Sequence, residues 1–246
     1  MLTSKLYLLL ESLGLDGMAK SFQVQSEQTK FIKLSFEDRL ALLIDAEKND
    51  RDNKKIARLL KNARLRQTNA CLEDIDYRST RGIDPSLISS LATCDWLIKR
   101  QNLILTGATG TGKSWVACAF GTQACRNGYS TLFTTATQLY EQLLSSLADG
   151  SLSKLRRQFI KTKLLIIDDL GIGGVDNRVG PLLLDIIDQQ AQLGSLLITS
   201  QFPADKWYDL FLDPSIADAF LDRIVHCAHI IDLKGESMRK LKSKET

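Results

Sequence analysis

The sequence predicts an α/β protein: a five-stranded parallel sheet with helices on both faces, preceded by a small all-helical N-terminal domain. Three observations carry this expectation. From residue 102 onward, short apolar runs alternate with helical patterns, the mark of strand–helix–strand units. Between the first such run and the next helical pattern stands Gly107-Ala-Thr-Gly-Thr-Gly-Lys-Ser114, which fits a loop wrapped around phosphate groups. Residues 1–70 show helical spacing and no strand pattern. The 246 residues suffice for one sizeable α/β domain and a small extra module.

From the N-terminus, Leu6, Leu9, Leu10 and Leu13 recur at helical spacing, and Gly14 to Gly17 closes that pattern. Ser35-Phe-Glu-Asp38 resembles a capping box, with Asp in the last place. A long helical pattern follows through Leu40, Leu43 and Ile44 to Ile56, Leu59, Leu60 and Ala63, with an interruption expected at residues 49–53. In its second half, at about 100° per residue, Arg51, Lys54, Lys55, Arg58 and Lys61 share one side. The apolar residues fall roughly opposite, Arg64 and Arg66 extend the charge, and Asp52 is the sole acid from 51 to 66. Solvated faces ordinarily mix signs, so this stripe is assigned to nucleic-acid phosphates. Residues 71–84 are polar, then turn-like at Gly82, and are expected to join a 1–70 module to an 85–246 domain. A helix is expected over 85–100, packing Leu87, Leu91 and Trp96. Strands are expected at 102–106, 130–134, 163–168, 195–200 and 229–233, with ligands at their carboxyl ends.

The glycine-rich loop fits a nucleoside triphosphate. Gly107, Ala108, Thr109, Gly110, Thr111 and Gly112 let successive N–H groups turn inward toward phosphate oxygens. Lys113 brings a point charge to the β and γ phosphates, and the Ser114 hydroxyl is a hard oxygen ligand for Mg²⁺. A helix opening at residue 115 would aim its unpaired N–H groups at the same phosphates. In Lys163-Leu-Leu-Ile-Ile-Asp-Asp-Leu-Gly171, two acids emerge from a buried run. Asp168 is assigned to Mg²⁺ through water, and Asp169 to the attacking water. The 196–203 run ends in Thr199, Ser200 and Gln201, with Gln201 the first choice and Ser200 the second for contact with that water or the γ-phosphate. Arg223 lies beside Asp222 in a helical pattern and admits two readings: a surface pair, or a cation reaching a neighbouring subunit's γ-phosphate.

Composition narrows the class. The net charge of +3 permits a nucleic-acid partner without requiring one. Cys71, Cys94, Cys118, Cys125 and Cys227 are scattered without a C-x-x-C spacing, so free thiols in a reducing compartment and no zinc are expected. No run approaches the roughly 18 apolar residues of a membrane span. The Leu6–Leu10 run is too short for a signal core, so a cytoplasmic protein is expected.

Together these motifs resemble the IstB-like transposition helper ATPases of the AAA+ superfamily, close to the DnaC-type helicase loaders. The resemblance spans nearly the whole chain and rests on residues 34–47, 63–84, 91–130, 164–171 and above all 198–240, "ITSQFPADKWYDLFLDPSIADAFLDRIVHCAHIIDLKGESMRK". It implies an AAA+ P-loop ATPase using ATP and Mg²⁺, with Lys113 and Ser114 on phosphate and metal. It implies Asp168 and Asp169 as metal-side and catalytic acids, Gln201 at or beside the sensor position, Arg223 as the trans-acting arginine, and Arg239 as a second nucleotide sensor. Asp169 stands where AAA+ proteins usually carry glutamate, which fits slow hydrolysis. The stretch 171–183 differs from the family's more charged one and gives no role for Asp176 or Arg178.

The implied activity is ATP-dependent assembly on duplex DNA and delivery of a target site to a partner transposase. Lys154, Arg156 and Arg157 would add DNA contacts to the 51–66 stripe. A head-to-tail contact that does not close would make the homo-oligomer a helical filament. The alternative use of the same machinery is helicase loading.

Overall fold

The computed structural model describes residues 2–77, 81–172 and 174–238, without the side chains of Leu2 and Thr3. Two compact units divide the chain, Met1–Arg58 and Leu59–Thr246. The first contains α1 (Leu2–Ser12), α2 (Asp16–Glu27), a 3₁₀ turn at Thr29–Lys33 and most of α3 (Phe36–Ala63). Ser35 caps α3: its Oγ accepts the Asp38 N–H at 3.1 Å and donates to Asp38 Oδ2 at 2.9 Å. The expected interruption at 49–53 is absent, and α3 runs unbroken. Pairs one turn apart support that polar stretch, Arg51 on Glu47 at 2.6 Å and Lys54 on Asp50 at 2.7 Å.

Glu47 also ties α2 to α3. Its Oε2 accepts the N–H groups of Gly17 and Met18 at 2.9 and 3.1 Å, satisfying donors that the first turn of a helix leaves open. The helices approach closely there because residue 17 is glycine: a Cβ would stand 2.5 Å from Ala46 O.

The second unit is built on a five-stranded, all-parallel sheet. Its strands are β1 (Asn102–Gly107), β2 (Thr131–Thr135), β3 (Leu164–Leu170), β4 (Ser195–Ser200) and β5 (Ala228–Leu233), in the order β2-β3-β4-β1-β5. The helices are α4 (Pro85–Ala92), α5 (Asp95–Ile98), α6 (Lys113–Arg126), α7 (Ala136–Ala148), α8 (Leu152–Ile160), α9 (Val179–Leu193) and α10 (Pro214–Val225). Alternate strand residues enter two cores. Leu103, Leu105, Leu164, Ile166 and Leu197 pack with α6, while Ile104, Leu165, Ile167, Leu196 and Ile198 pack with α7, α9 and α10. Both faces being covered explains why the strands read as unbroken apolar runs.

Two boundaries differ from expectation. The 85–100 helix is two helices, because Cys94 adopts a left-handed φ of 63° between α4 and α5. The units part at Arg58/Leu59 rather than near residue 70. Ala63, Leu65, Ala70, Leu72, Ile75 and Ile83 are buried in the α6-side core, so most of the expected joint is part of the larger unit. Past β4, buried Trp207 donates its Nε1 to Phe202 O at 3.0 Å. Phe211 and Phe220 pack beside it in a tilted pair with centroids 4.7 Å apart, anchoring the segment that follows Gln201.

Candidate functional site

The loop 107–112 leaves β1 and enters α6 through three glycines with positive φ, Gly107 (136°), Gly110 (87°) and Gly112 (95°). Side chains would not fit at the first two. A Cβ on Gly107 would lie 2.1 Å from Leu233 O, and one on Gly110 2.3 Å from Ser237 Oγ. Lys113 opens α6, is buried, and donates its Nζ to Gly107 O at 2.8 Å and Ala108 O at 3.0 Å. Burial lowers its pKa, while Asp169 and Asp168 oppose that shift, so lysine and both acids share one electrostatic environment.

The acids meet there because β3 is bulged. Ile167 pairs with Ile198 and Leu170 with Ser200, so Asp168 and Asp169 together oppose Thr199 alone. In a regular strand, residues three apart point to opposite faces, yet Ile167 and Leu170 both pack in the α9-side core. The extra residue is absorbed by Asp169 at a φ of 59°. Neighbouring acids, which a regular strand would send to opposite faces, are thereby freed to serve one site.

Asp168 is fully buried, and burial raises its pKa. Thr199, Ser114 and the more distant Arg66 counter the shift, while Asp169 adds to it. Asp168 Oδ1 accepts the Thr199 hydroxyl at 2.6 Å, and buried Oδ2 makes no well-aligned hydrogen bond among the described residues. A buried carboxylate oxygen left open beside a serine hydroxyl is a hard-oxygen donor set, which fits Mg²⁺.

Gln201 reaches the loop, where its Oε1 accepts the Thr109 hydroxyl at 2.8 Å. Ser200 is committed elsewhere, donating to Leu170 O and accepting the Phe202 N–H. Arg223 pairs with Asp188 and donates to Ala219 O at 2.8 Å. Its main-chain carbonyl lies by Asn102 at the start of β1. The loop leaves the far end of that strand, about 16 Å away at ~3.3 Å per residue, so Arg223 is not gathered with the loop of its own chain. Arg239 lies outside the described residues. It follows Met238, whose N–H donates to Gly110 O at 2.9 Å.

Sequence reasoning missed Arg81, which is buried and donates to Thr111 O of the loop at 2.5 Å. Asp176 gains a role: its Oδ1 accepts the N–H groups of Arg178 and Val179 and so caps α9.

The basic residues divide. Arg51 is held by Glu47, and Lys54 by Asp16 (2.5 Å) and Asp50. Arg156 pairs with Asp185 at 2.7 Å. Lys55, Arg58, Lys61, Arg64, Lys154 and Arg157 are exposed and carry no ion pair among the described residues. Arg64 lines a cleft of about 700 Å³ with Arg66, Gln138, Gln142 and the end of β2.

The strand order, the glycine loop at the end of β1 and the paired acids on β3 define a P-loop nucleotide-binding domain with an AAA+-type fold. The chain belongs to the IstB-like ATP-binding protein family, whose model matches residues 8–246. It is 40% identical over 234 residues to a putative insertion sequence ATP-binding protein, y4uH, of Sinorhizobium fredii, covering 95% of this chain and 94% of that one. It is 44% identical over 195 residues to the IS1162 putative ATP-binding protein of Pseudomonas fluorescens, covering 79% and 84%. Among solved structures, DnaI aligns with a TM-score of 0.56 at 20% identity, over 72% of this chain and 94% of that one. The DnaC helicase loader aligns at 0.54 and 18%, over 68% and 97%. Those two likenesses concern the fold. Among the described residues, no helix is long and apolar enough to cross a membrane.

Proposed function

We propose that this chain is an ATP-hydrolysing transposition helper that assembles on duplex DNA and presents a target site to a partner transposase. The observation that carries the chemistry is the bulge at Asp168-Asp169, which offers two acids to the environment of Lys113. The loop N–H groups and the N-terminus of α6 bind the phosphates, and Lys113 exchanges the Gly107 and Ala108 carbonyls for phosphate oxygens. Ser114 and Asp168 hold Mg²⁺, which when bound offsets charge on the β and γ phosphates. Asp169 orients a water and takes its proton as the water oxygen bonds to the γ-phosphorus and the bond to ADP breaks. Gln201 contacts the γ-phosphate side of the loop. Arg223 leaves Asp188 to reach the nucleotide of a neighbouring protomer, and Arg239 contacts the nucleotide of its own chain.

The insertion-sequence relatives favour transposition over helicase loading, because the DnaC and DnaI likenesses rest on the fold alone. DNA is held by Lys55, Arg58, Lys61 and Arg64, with Lys154 and Arg157, through phosphates rather than base edges. Arg51, Lys54 and Arg156 join them only by releasing their acids. The protein works in the cytoplasm as a head-to-tail homo-oligomer. Gel shifts across a salt series with and without ATP test the reading. Binding that ATP strengthens and salt weakens is expected, and salt-independent binding, or none with ATP present, contradicts it.

A further inference from the structure

Thr199 stands alone on β4 opposite both acids, with its side chain fully buried. Its Oγ1 accepts the Asp169 N–H at 2.9 Å and donates to Asp168 Oδ1 at 2.6 Å. A hydroxyl has one hydrogen and two lone pairs, so these bonds fix its orientation. The N–H it accepts lies at the register shift between β3 and β4, where the Thr199 hydroxyl gives a part-buried donor its partner. The carboxylate oxygen it occupies is Oδ1, while Oδ2 makes no well-aligned hydrogen bond among the described residues. One hydroxyl therefore fastens the backbone of the second acid and selects which oxygen of the first remains open.

We propose that Thr199 is a positioning residue that locks the Asp168-Asp169 bulge, turning Asp168 Oδ2 toward the metal position and holding Asp169 in its left-handed conformation. It is fully buried and acts through the two acids. Ser200 and Gln201, its neighbours in sequence, do other work. Ser200 closes β4 onto Leu170 O, and Gln201 meets Thr109. The proposal rests on the ATPase reading for its effect on turnover. Its effect on metal-linked nucleotide binding is separate.

The test uses the full chain and four proteins: wild type, Thr199→Val, Thr199→Ser and Thr199→Ala. A fluorescent ATP analogue is titrated with Mg²⁺ and with a chelator, and steady-state ATP hydrolysis is followed in parallel. Thr199→Val keeps the shape and loses the hydroxyl. Its affinity without metal is expected to stay within about twofold, since the loop is untouched. The gain in affinity on adding Mg²⁺, and the hydrolysis rate, are expected to fall roughly tenfold or more, the range for losing a group that orients a metal ligand. Thr199→Ser restores the hydroxyl and is expected within about threefold of wild type, whereas Thr199→Ala behaves as the valine variant does.

If Thr199→Val fails to fold, the Ser and Ala variants, which differ only in the hydroxyl, decide the matter. Equal Mg²⁺ gains with and without the hydroxyl overturn the proposal, as does a serine variant as impaired as the alanine one. If the wild type binds Mg²⁺-nucleotide but does not hydrolyse it, the ATPase reading fails, and the Mg²⁺ gain still decides the role of Thr199.

Discussion

At the scale of single residues, charge and shape at the loop separate binding from chemistry. Lys113→Ala removes a buried cation that bonds two carbonyls of the loop. It is expected to weaken ATP binding at least tenfold, read by equilibrium titration. Asp169→Asn keeps the bulge but cannot take a proton. It is expected to bind ATP within a few-fold of wild type and to hydrolyse it roughly 10²–10⁴ times more slowly. Equal loss of binding and turnover would return Asp169 to a structural role. The glycine-lysine-serine pattern and the adjacent acids are visible in the sequence because each motif is local. The bulge is not, since two successive aspartates look the same in a regular strand and an irregular one. Thr199 is visible at the end of its strand, but its task is not, for a related reason. Its partners are 30 and 31 positions away, and no spacing rule marks a hydroxyl for that task. Arg81 was hidden in a stretch that reads as a polar joint.

Among the elements, the α2–α3 junction makes a pH-dependent prediction. Arg51, with the Met18 and Gly17 N–H groups, holds the Glu47 carboxyl below its ordinary pKa against the opposing effect of burial. Because the folded pKa is the lower one, the stabilisation is present above the unfolded value, about 4.3. It is lost as pH falls through the folded one. Acidification below about pH 4 is expected to lower the melting temperature of the helical unit. Glu47→Gln should flatten that dependence in far-UV circular dichroism melts, and an unchanged slope would show that Glu47 does not set it. In the larger unit, Trp207→Ala is expected to cost about 3–5 kcal/mol in denaturant unfolding, because it empties the aromatic cluster behind Gln201. Strand and helix order was legible, since apolar runs and caps are local signals. Element limits were less so. Ion pairs one turn apart carry α3 through a stretch whose composition reads as a break. Scattered apolar residues such as Leu72, Ile75 and Ile83 bury a segment whose average is polar.

At the scale of the whole molecule, assembly is expected to link the nucleotide site to a basic surface. Three-residue spacing puts Lys55, Arg58 and Lys61 along one side of α3, and none is held by an acid among the described residues. Replacing all three with alanine is expected to reduce the slope of log affinity against log salt by about 2–3, at ~0.9 per duplex phosphate contact. Arg51→Ala should change it less, because Glu47 already holds that guanidinium. The sequence shows the stripe but not its neutralisation, since Asp16, Glu47 and Asp50 lie outside the basic window. Arg223 belongs to this scale too, because its carbonyl sits at the end of β1 opposite the loop. Arg223→Ala is expected to retain ATP binding and lose about 10³-fold or more in hydrolysis. The most direct test is the sedimentation of the full chain with duplex DNA, in ATP and without nucleotide. Multi-subunit complexes on DNA that require ATP are expected, and a protein that stays monomeric with both ligands saturating would contradict assembly-driven function.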